Sequence, residues 1–272
     1  INAYRGCEHG CVYCFARPSH AWLGLSPGLD FESRLFYKPD APELLRHELA
    51  ARSYRPAPIA VGINTDAYQP GERKLKITRR ILELLVECRH PFSIVTKSAL
   101  IERDLDLLKE AAAHQLVSVA VSITTLDRAL ARRMEPRAAA PQRRVEVIRN
   151  LSAAGVPVSV LVAPLIPVLT DGEMEKILEA AHAAGARAAG YVLLRLPHEL
   201  KELFEAWLAA HEPRKAEHVM NRIRDMRGGK DNDARFGTRM RGEGVWAELL
   251  RQRFHKACAR LGYGRERVEL DL

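Results

Sequence analysis

Three cysteines, Cys7, Cys11 and Cys14, stand in a C-x3-C-x2-C loop near the start of a 272-residue chain. Soft thiolates at this spacing select an iron-sulfur cluster, zinc or cuprous copper. A fourth protein ligand is missing from the loop. A closed site is structural, whereas a metal with an open position can hold a substrate or cosubstrate, so the loop reads as the seat of a polynuclear iron-sulfur cluster whose open iron is reactive. The rival on spacing alone is a three-thiolate zinc site completed by His9 or His20. Gly6 and Gly10 flank the first two cysteines and, lacking Cβ, would let the backbone wrap closely around a bulky cluster.

A hydrophobic content of 47% and a charged fraction of 28% supply a full core for one barrel-sized domain or two smaller ones. The formal net charge of +8 favours an anionic partner such as nucleic acid, with a solvated basic surface as the plainer alternative. Five cysteines, three of them in one loop, do not form a disulfide framework and fit a reducing compartment. Cys88 shares a helical stripe with Ile77, Ile81 and Leu84, and Cys258 shares one with Trp246, Leu250, Phe254 and Leu261, so both are expected in the core. No window is apolar enough to span a membrane and no signal peptide opens the chain. The expected location is the cytoplasm, with no membrane partner. Because the chain begins at Ile1 and runs at once into the cysteine loop, an N-terminal segment is expected to be missing.

Residues 17–28 read as a long ordered loop over the cluster, and a helix is expected over 42–53. An alternation follows. Strand patterns near 58–64, 92–97, 116–123, 157–163 and 189–195 are separated by helical patterns near 74–89, 102–114, 141–154 and 172–184, with Gly155 and Gly185 as C-terminal caps. With a first strand around Tyr4 this makes six βα units, an α/β fold of the partial (β/α)6 TIM-type barrel. Alternate strand residues face inward, and reactive groups gather at the carboxyl ends. Val117, Val119 and Val121 share one face and Ser118, Ala120 and Ser122 the other, so branched side chains should meet the helices and small ones the interior. The same parity places Asn64, Lys97, Ala163 and Arg195 on the inner rim beside Ser122. Beyond residue 197 only helices are expected, near 198–210, 213–226 and 243–261. Residues 1–197 thus form the barrel and 198–272 a C-terminal helical extension. Arg235, Arg239 and Arg241 read first as a solvated charged loop and second as contacts to a phosphate backbone.

The cysteine loop, with Tyr13 just before its last cysteine, resembles the signature of radical S-adenosylmethionine enzymes. The runs Asn2-Ala-Tyr-Arg-Gly-Cys7, Asn64-Thr-Asp-Ala-Tyr-Gln-Pro70, Val95-Thr-Lys-Ser98 and Ser122-Ile-Thr-Thr125 are similar to the branch that contains spore photoproduct lyase. This resemblance covers most of residues 1–200. It implies a 4Fe-4S cluster on Cys7, Cys11 and Cys14, S-adenosylmethionine as cosubstrate and a flavodoxin- or ferredoxin-type electron donor. It also implies reductive cleavage to a 5'-deoxyadenosyl radical that acts on a DNA lesion. Lys97 and the Asn64-Thr65 pair would contact the methionyl group or ribose, Ser122 the ribose or carboxylate, and Tyr13, Phe15 and Ala163 the adenine neighbourhood.

Two positions depart from the lyases. Ile63 stands where they carry the cysteine that returns a hydrogen atom to the product, and Phe15 stands where a redox-active tyrosine is expected. Tyr4, Tyr13, Tyr68 and Arg195 remain as candidate catalytic residues. The rival readings are the same radical chemistry on RNA, a peptide or a small molecule, and a non-catalytic metal-binding nucleic-acid module.

Overall fold

The computed structural model describes residues 1–264 and 270–271. Seven strands occur among them: β1 Tyr4–Arg5, β2 Phe36–Tyr37, β3 Ile59–Val61, β4 Phe92–Thr96, β5 Val117–Ser122, β6 Val158–Leu165 and β7 Ala188–Leu193. Strands β3 to β7 form one parallel sheet in sequential order. Parallel neighbours need long crossovers, and the helices Ile77–Glu87, Leu105–Ala113, Pro141–Ala153 and Met174–Ala183 supply them. Gly155 and Gly185 follow the last two of these helices at φ +80° and +109°, the left-handed conformations that a glycine past a helix end adopts without Cβ strain.

The α/β architecture and the expected helix and strand positions are present, but the first strand differs. Tyr4 and Arg5 pair antiparallel with Tyr37 and Phe36 instead of joining the parallel sheet. Ile1 alone runs beside β3, donating from its terminal amine to Ala60 O and accepting from Gly62 N at 3.2 Å. Only Arg5 and Gly6 separate Tyr4 from Cys7, so the chain must already be swinging away from the sheet. Gly6 makes that turn at φ +83°. The barrel is therefore more open than six full strands would make it.

The outer face of the sheet is a dense apolar layer. Val117, Val119 and Val121 are each at most 1% exposed and belong to one core with Ile81, Leu85, Val147 and Ile177 of the covering helices. A second cluster joins Cys11 and Tyr13 to Phe204, Trp207 and Ile223 of the helices Leu200–His211 and Ala216–Asp225. The long helix Gly244–Leu261 packs Phe254 against Tyr191 of β7 with ring centroids 4.8 Å apart. Cys258 is partly buried beside this core, but Cys88 is exposed. Cys88 caps the helix that ends at Glu87, one turn past Leu84, where no further layer covers the stripe.

Beneath the strand ends lies a buried ion pair. Arg144 and Glu135 are each 1% exposed at the side chain and in direct contact. The Arg144 guanidinium also donates to Ala139 O at 2.7 Å and Ser122 O at 3.0 Å. Glu135 accepts from the Tyr13 hydroxyl and, at 2.8 Å, from Thr124 Oγ1. Burying two charges is favourable only when their remaining hydrogen-bonding capacity is met in place, and these partners meet it. Removing one charge strands the other, so Arg144→Ala is expected to destabilise the protein by about 3–5 kcal/mol in urea unfolding. The double substitution Arg144→Met with Glu135→Leu should recover part of that loss; no recovery would show that the pair is not the unit that matters.

Candidate active site

The carboxyl ends of β3 to β7 and the cysteine loop enclose a cavity of about 260 Å³. Cys7, Cys11 and Cys14 line it, and so do Asn64, Lys97, Ser122, Ala163 and Arg195. All five residues assigned to the inner rim thus meet the three thiols in one space, although β7 has the opposite parity to that expected: Tyr191 packs on Phe254 of the covering helix, a Cβ on Gly190 would face Leu161, and Arg195 reaches the cavity past the strand end. Small and apolar groups from Gly62, Val95, Leu161, Pro164 and Leu193 fill the wall between the polar ones.

Several hydrogen bonds brace the cysteine loop from behind. Gln69 accepts from Glu8 N at 2.9 Å and donates to Gly6 O at 3.2 Å, and Glu8 accepts from Gly71 N at 2.7 Å. Asp66 accepts from Thr96 Oγ1 and Lys97 N, both at 2.7 Å, and lies 3.4 Å from His9 Nδ1. The run from Asn64 to Pro70 therefore ties the loop to the ends of β3 and β4. On the other flank the buried Arg17 donates to Cys11 O at 2.8 Å, Gly10 O at 3.0 Å and Gly28 O at 2.7 Å. These contacts fold residues 17–28 over the loop.

Gly6 and Gly10 serve this packing rather than close approach to the cavity. A Cβ on Gly6 would meet Leu35 and Phe31 O at under 3.0 Å, and one on Gly10 would meet Glu32 at 2.3 Å. His20 is engaged elsewhere, with Arg34 O at 3.0 Å, whereas His9 lines the cavity and is paired there with Asp66. Among the described residues no three His, Cys, Asp or Glu side chains close around a single metal ion. The thiols instead border a wider space, which fits a polynuclear cluster better than zinc. Burial pushes all three thiols above the ordinary cysteine range, so their deprotonation requires positive charge from bound metal. Burial likewise holds His9 below the usual histidine range.

The expected cosubstrate residues differ in what they have free. Thr65 Oγ1 donates to Tyr4 O at 2.9 Å, and Ser122 Oγ donates to Ala163 O at 2.8 Å. Both hydroxyls have spent their proton and can only accept. Thr124 Oγ1, whose single proton faces both Glu135 and this carbonyl, lies 3.0 Å from Ala163 O. Lys97 Nζ lies 5.8 Å above the Tyr13 ring, and no carboxylate pairs with it among the described residues. Tyr13 gives its hydroxyl to Glu135 and presents its ring to the cavity. Phe15 is 39% exposed, with the Arg195 guanidinium 4.6 Å from its ring centroid.

Tyr4 and Tyr68 do not line the cavity. Tyr4 donates to the buried Glu72, and the Tyr68 ring is buried 5.9 Å from the Arg103 guanidinium. Ile63 stands at the cavity wall, 49% exposed. Sequence reasoning gave no role to Arg17, Asp66, Glu135, Arg144 or Met240. Arg17, three residues after the last cysteine, was the most visible of them, because an arginine in so apolar a stretch must find acceptors. Met240 lies outside the expected barrel yet lines the cavity, and its carbonyl accepts from Leu193 N at 2.9 Å.

The model of the Radical SAM superfamily matches residues 1–181. An uncharacterized protein of Mycobacterium tuberculosis is 40% identical over 228 residues, which are 83% of this chain and 66% of that protein. The chain thus spans just under two thirds of that relative's length. Spore photoproduct lyase complexed with dinucleoside spore photoproduct superposes with a TM-score of 0.67 at 15% identity, covering 95% of this chain and 72% of the lyase. A mutant of that lyase with bound AdoMet and the same lesion gives 0.66 at 14% identity, covering 96% and 73%. These likenesses establish a shared fold. With the cysteine loop and strand ends so arranged, the chain belongs to the radical SAM superfamily, whose cofactors are a 4Fe-4S cluster and S-adenosylmethionine.

Proposed function

We propose that this chain is a radical enzyme acting on a lesion-bearing nucleic-acid base, in a photoproduct-lyase-like repair reaction carried out in the cytoplasm. The observation that supports it best is one cavity lined by three thiols, an unpaired lysine and acceptor-only hydroxyls. When bound, the cluster and S-adenosylmethionine supply an electron and a 5'-deoxyadenosyl radical. The residues of the chain bind, orient and exclude. Cys7, Cys11 and Cys14 hold the cluster. Lys97 takes the cosubstrate carboxylate, the free side chain of Asn64 meets the methionyl group or ribose, and Thr65 and Ser122 accept from ammonium or ribose hydroxyls. Tyr13, Phe15 and Ala163 shape the adenine end. The nonpolar wall keeps water and stray hydrogen donors away.

The lesion enters this reading through the lyase neighbours, whose structures carry the dinucleoside photoproduct. Among the described residues lining the cavity, the only thiols are those of the cysteine loop. Hydrogen return by a separate cysteine is therefore not part of the proposal, and the preferred lesion need not be the lyases'. A flavodoxin- or ferredoxin-type protein completes the proposal as electron donor.

Anaerobically reconstituted protein is expected to hold about four irons per chain, and Cys7→Ala, Cys11→Ala or Cys14→Ala should each abolish S-adenosylmethionine cleavage. Cys88→Ala and Cys258→Ala should leave cleavage largely intact. One zinc per chain would refute the cluster assignment. Lys97→Ala should weaken S-adenosylmethionine binding by about 1.5–3 kcal/mol, the value of a charge-assisted hydrogen bond, measured by calorimetry on the reconstituted protein; unchanged affinity would place the carboxylate elsewhere. Ultraviolet-irradiated DNA should raise 5'-deoxyadenosine release or deuterium transfer from labelled lesions above the level with undamaged DNA. If irradiated DNA changes neither while an RNA or a peptide does, the DNA-lesion reading is wrong.

A further inference from the structure

Near the mouth of the cavity two arginines stand without acceptors on backbone segments that are tied together. Arg195 follows β7 and lines the cavity, and Arg239 immediately precedes Met240, which also lines it. A third arginine builds the arrangement. Arg227, 3% exposed, donates to Leu194 O and Arg239 O, each at 2.8 Å, and to Thr238 O at 3.3 Å. One buried guanidinium therefore clamps the backbone beside Arg195 to that of Arg239.

The neighbouring carboxylates are committed elsewhere. Asp233 binds Arg235 and Thr238, Glu243 binds Arg235, and Asp231 binds Arg224 and Lys201. Among the described residues no side-chain or backbone oxygen accepts from the guanidinium of Arg195 or Arg239. Each instead lies over a phenylalanine, Arg195 at 4.6 Å from the Phe15 centroid and Arg239 at 4.9 Å from that of Phe236. Phe236 is 88% exposed and Phe15 39%. Desolvation first, and then the charge of Arg239, lowers the proton affinity of Arg195.

We propose that Arg195 and Arg239 together bind a phosphodiester of the substrate, and that the exposed Phe236 presents a ring face to a flanking base. The planar forks suit phosphate oxygens, and base stacking on exposed aromatic rings accompanies such contacts in single-strand recognition. A protonated peptide side chain or a neutral small molecule would leave both cations unmatched. The phosphate lies at the mouth and directs the attached base inward toward the cysteine loop. This inference rests on the nucleic-acid reading above.

The test uses reconstituted holoenzyme with S-adenosylmethionine and two probes, thymidylyl-thymidine and its uncharged methylphosphonate analogue, in calorimetric titrations. Wild type should bind the phosphodiester more tightly than the analogue. Arg195→Gln and Arg239→Gln should each weaken phosphodiester binding about tenfold and leave analogue binding unchanged, with iron content as the control for folding. Each substitution should also flatten the salt dependence of oligothymidylate binding by roughly 0.7 in log-log slope. Equal binding of the two probes by wild type, or full phosphodiester affinity in the double variant, would overturn the proposal. If the double variant still releases 5'-deoxyadenosine with irradiated DNA at unchanged KM, the phosphate subsite is wrong and the lesion reading stands. If no DNA stimulates release by wild type, the lesion reading falls and this subsite falls with it.

Discussion

The pairing of Arg144 with Glu135 is the constraint on which the rest of the site depends. Both side chains are 1% exposed, and an unmatched charge at such depth costs several kcal/mol. Every element that touches the pair is therefore held to a narrow geometry. Arg144 fixes Ser122 O at the end of β5, while Glu135 fixes Tyr13 in the cysteine loop and Thr124 just past that strand. Ser122 and Thr124 then converge on Ala163 O in β6. The loop that bears the thiols and two of the five parallel strands are thus keyed to one buried contact.

An open barrel needs such a contact more than a closed one does. A closed eight-stranded barrel fills its interior with branched side chains and holds its strand ends by packing. Here the inner face carries Ser118, Ala120, Ser122, Ser159 and Ala163, and the strand ends border a cavity. Apolar burial is concentrated on the outer face, where the valines of β5 meet the helices. Stability and reactivity are thereby assigned to opposite faces of the same strands. The polar bracing by Asp66, Gln69, Arg17 and the buried pair replaces the order that a packed interior would have supplied.

The parts of this design that depend on short-range spacing were legible in the sequence. Strand parity placed Asn64, Lys97, Ser122 and Ala163 on one rim, and all four line the cavity; Arg195 lines it too, but from beyond β7, whose Tyr191 faces the covering helix. The cysteine spacing located the thiols for the same reason. Long-range pairing was not legible. Glu135 and Arg144 sit in unremarkable charged stretches, and nothing in either stretch indicates that the two side chains meet away from water. Cys88 misled because a helical stripe says which side faces inward but not where the covering layer stops. Tyr4 misled because a β-rich run does not reveal which sheet it joins, and here only Arg5 and Gly6 separate it from the cysteine loop.

The boundary drawn near residue 197 also needs physical qualification. Met240 lines the cavity, Arg227 ties Thr238 and Arg239 to Leu194, and Leu193 N donates to Met240 O. The segment after the barrel therefore completes the wall at the β7 edge, where no further strand among the described residues closes the sheet. Such an edge has unpaired backbone groups that must be met by something, and here a loop meets them. The residues nearest the cysteine loop come from the strands, whereas part of the mouth comes from this later segment. Changes at residues 238–240 can alter what enters with little effect on the thiols, because the cysteine loop is braced by Arg17, Asp66 and Gln69 and packed by the helices Leu200–His211 and Ala216–Asp225, not by this loop.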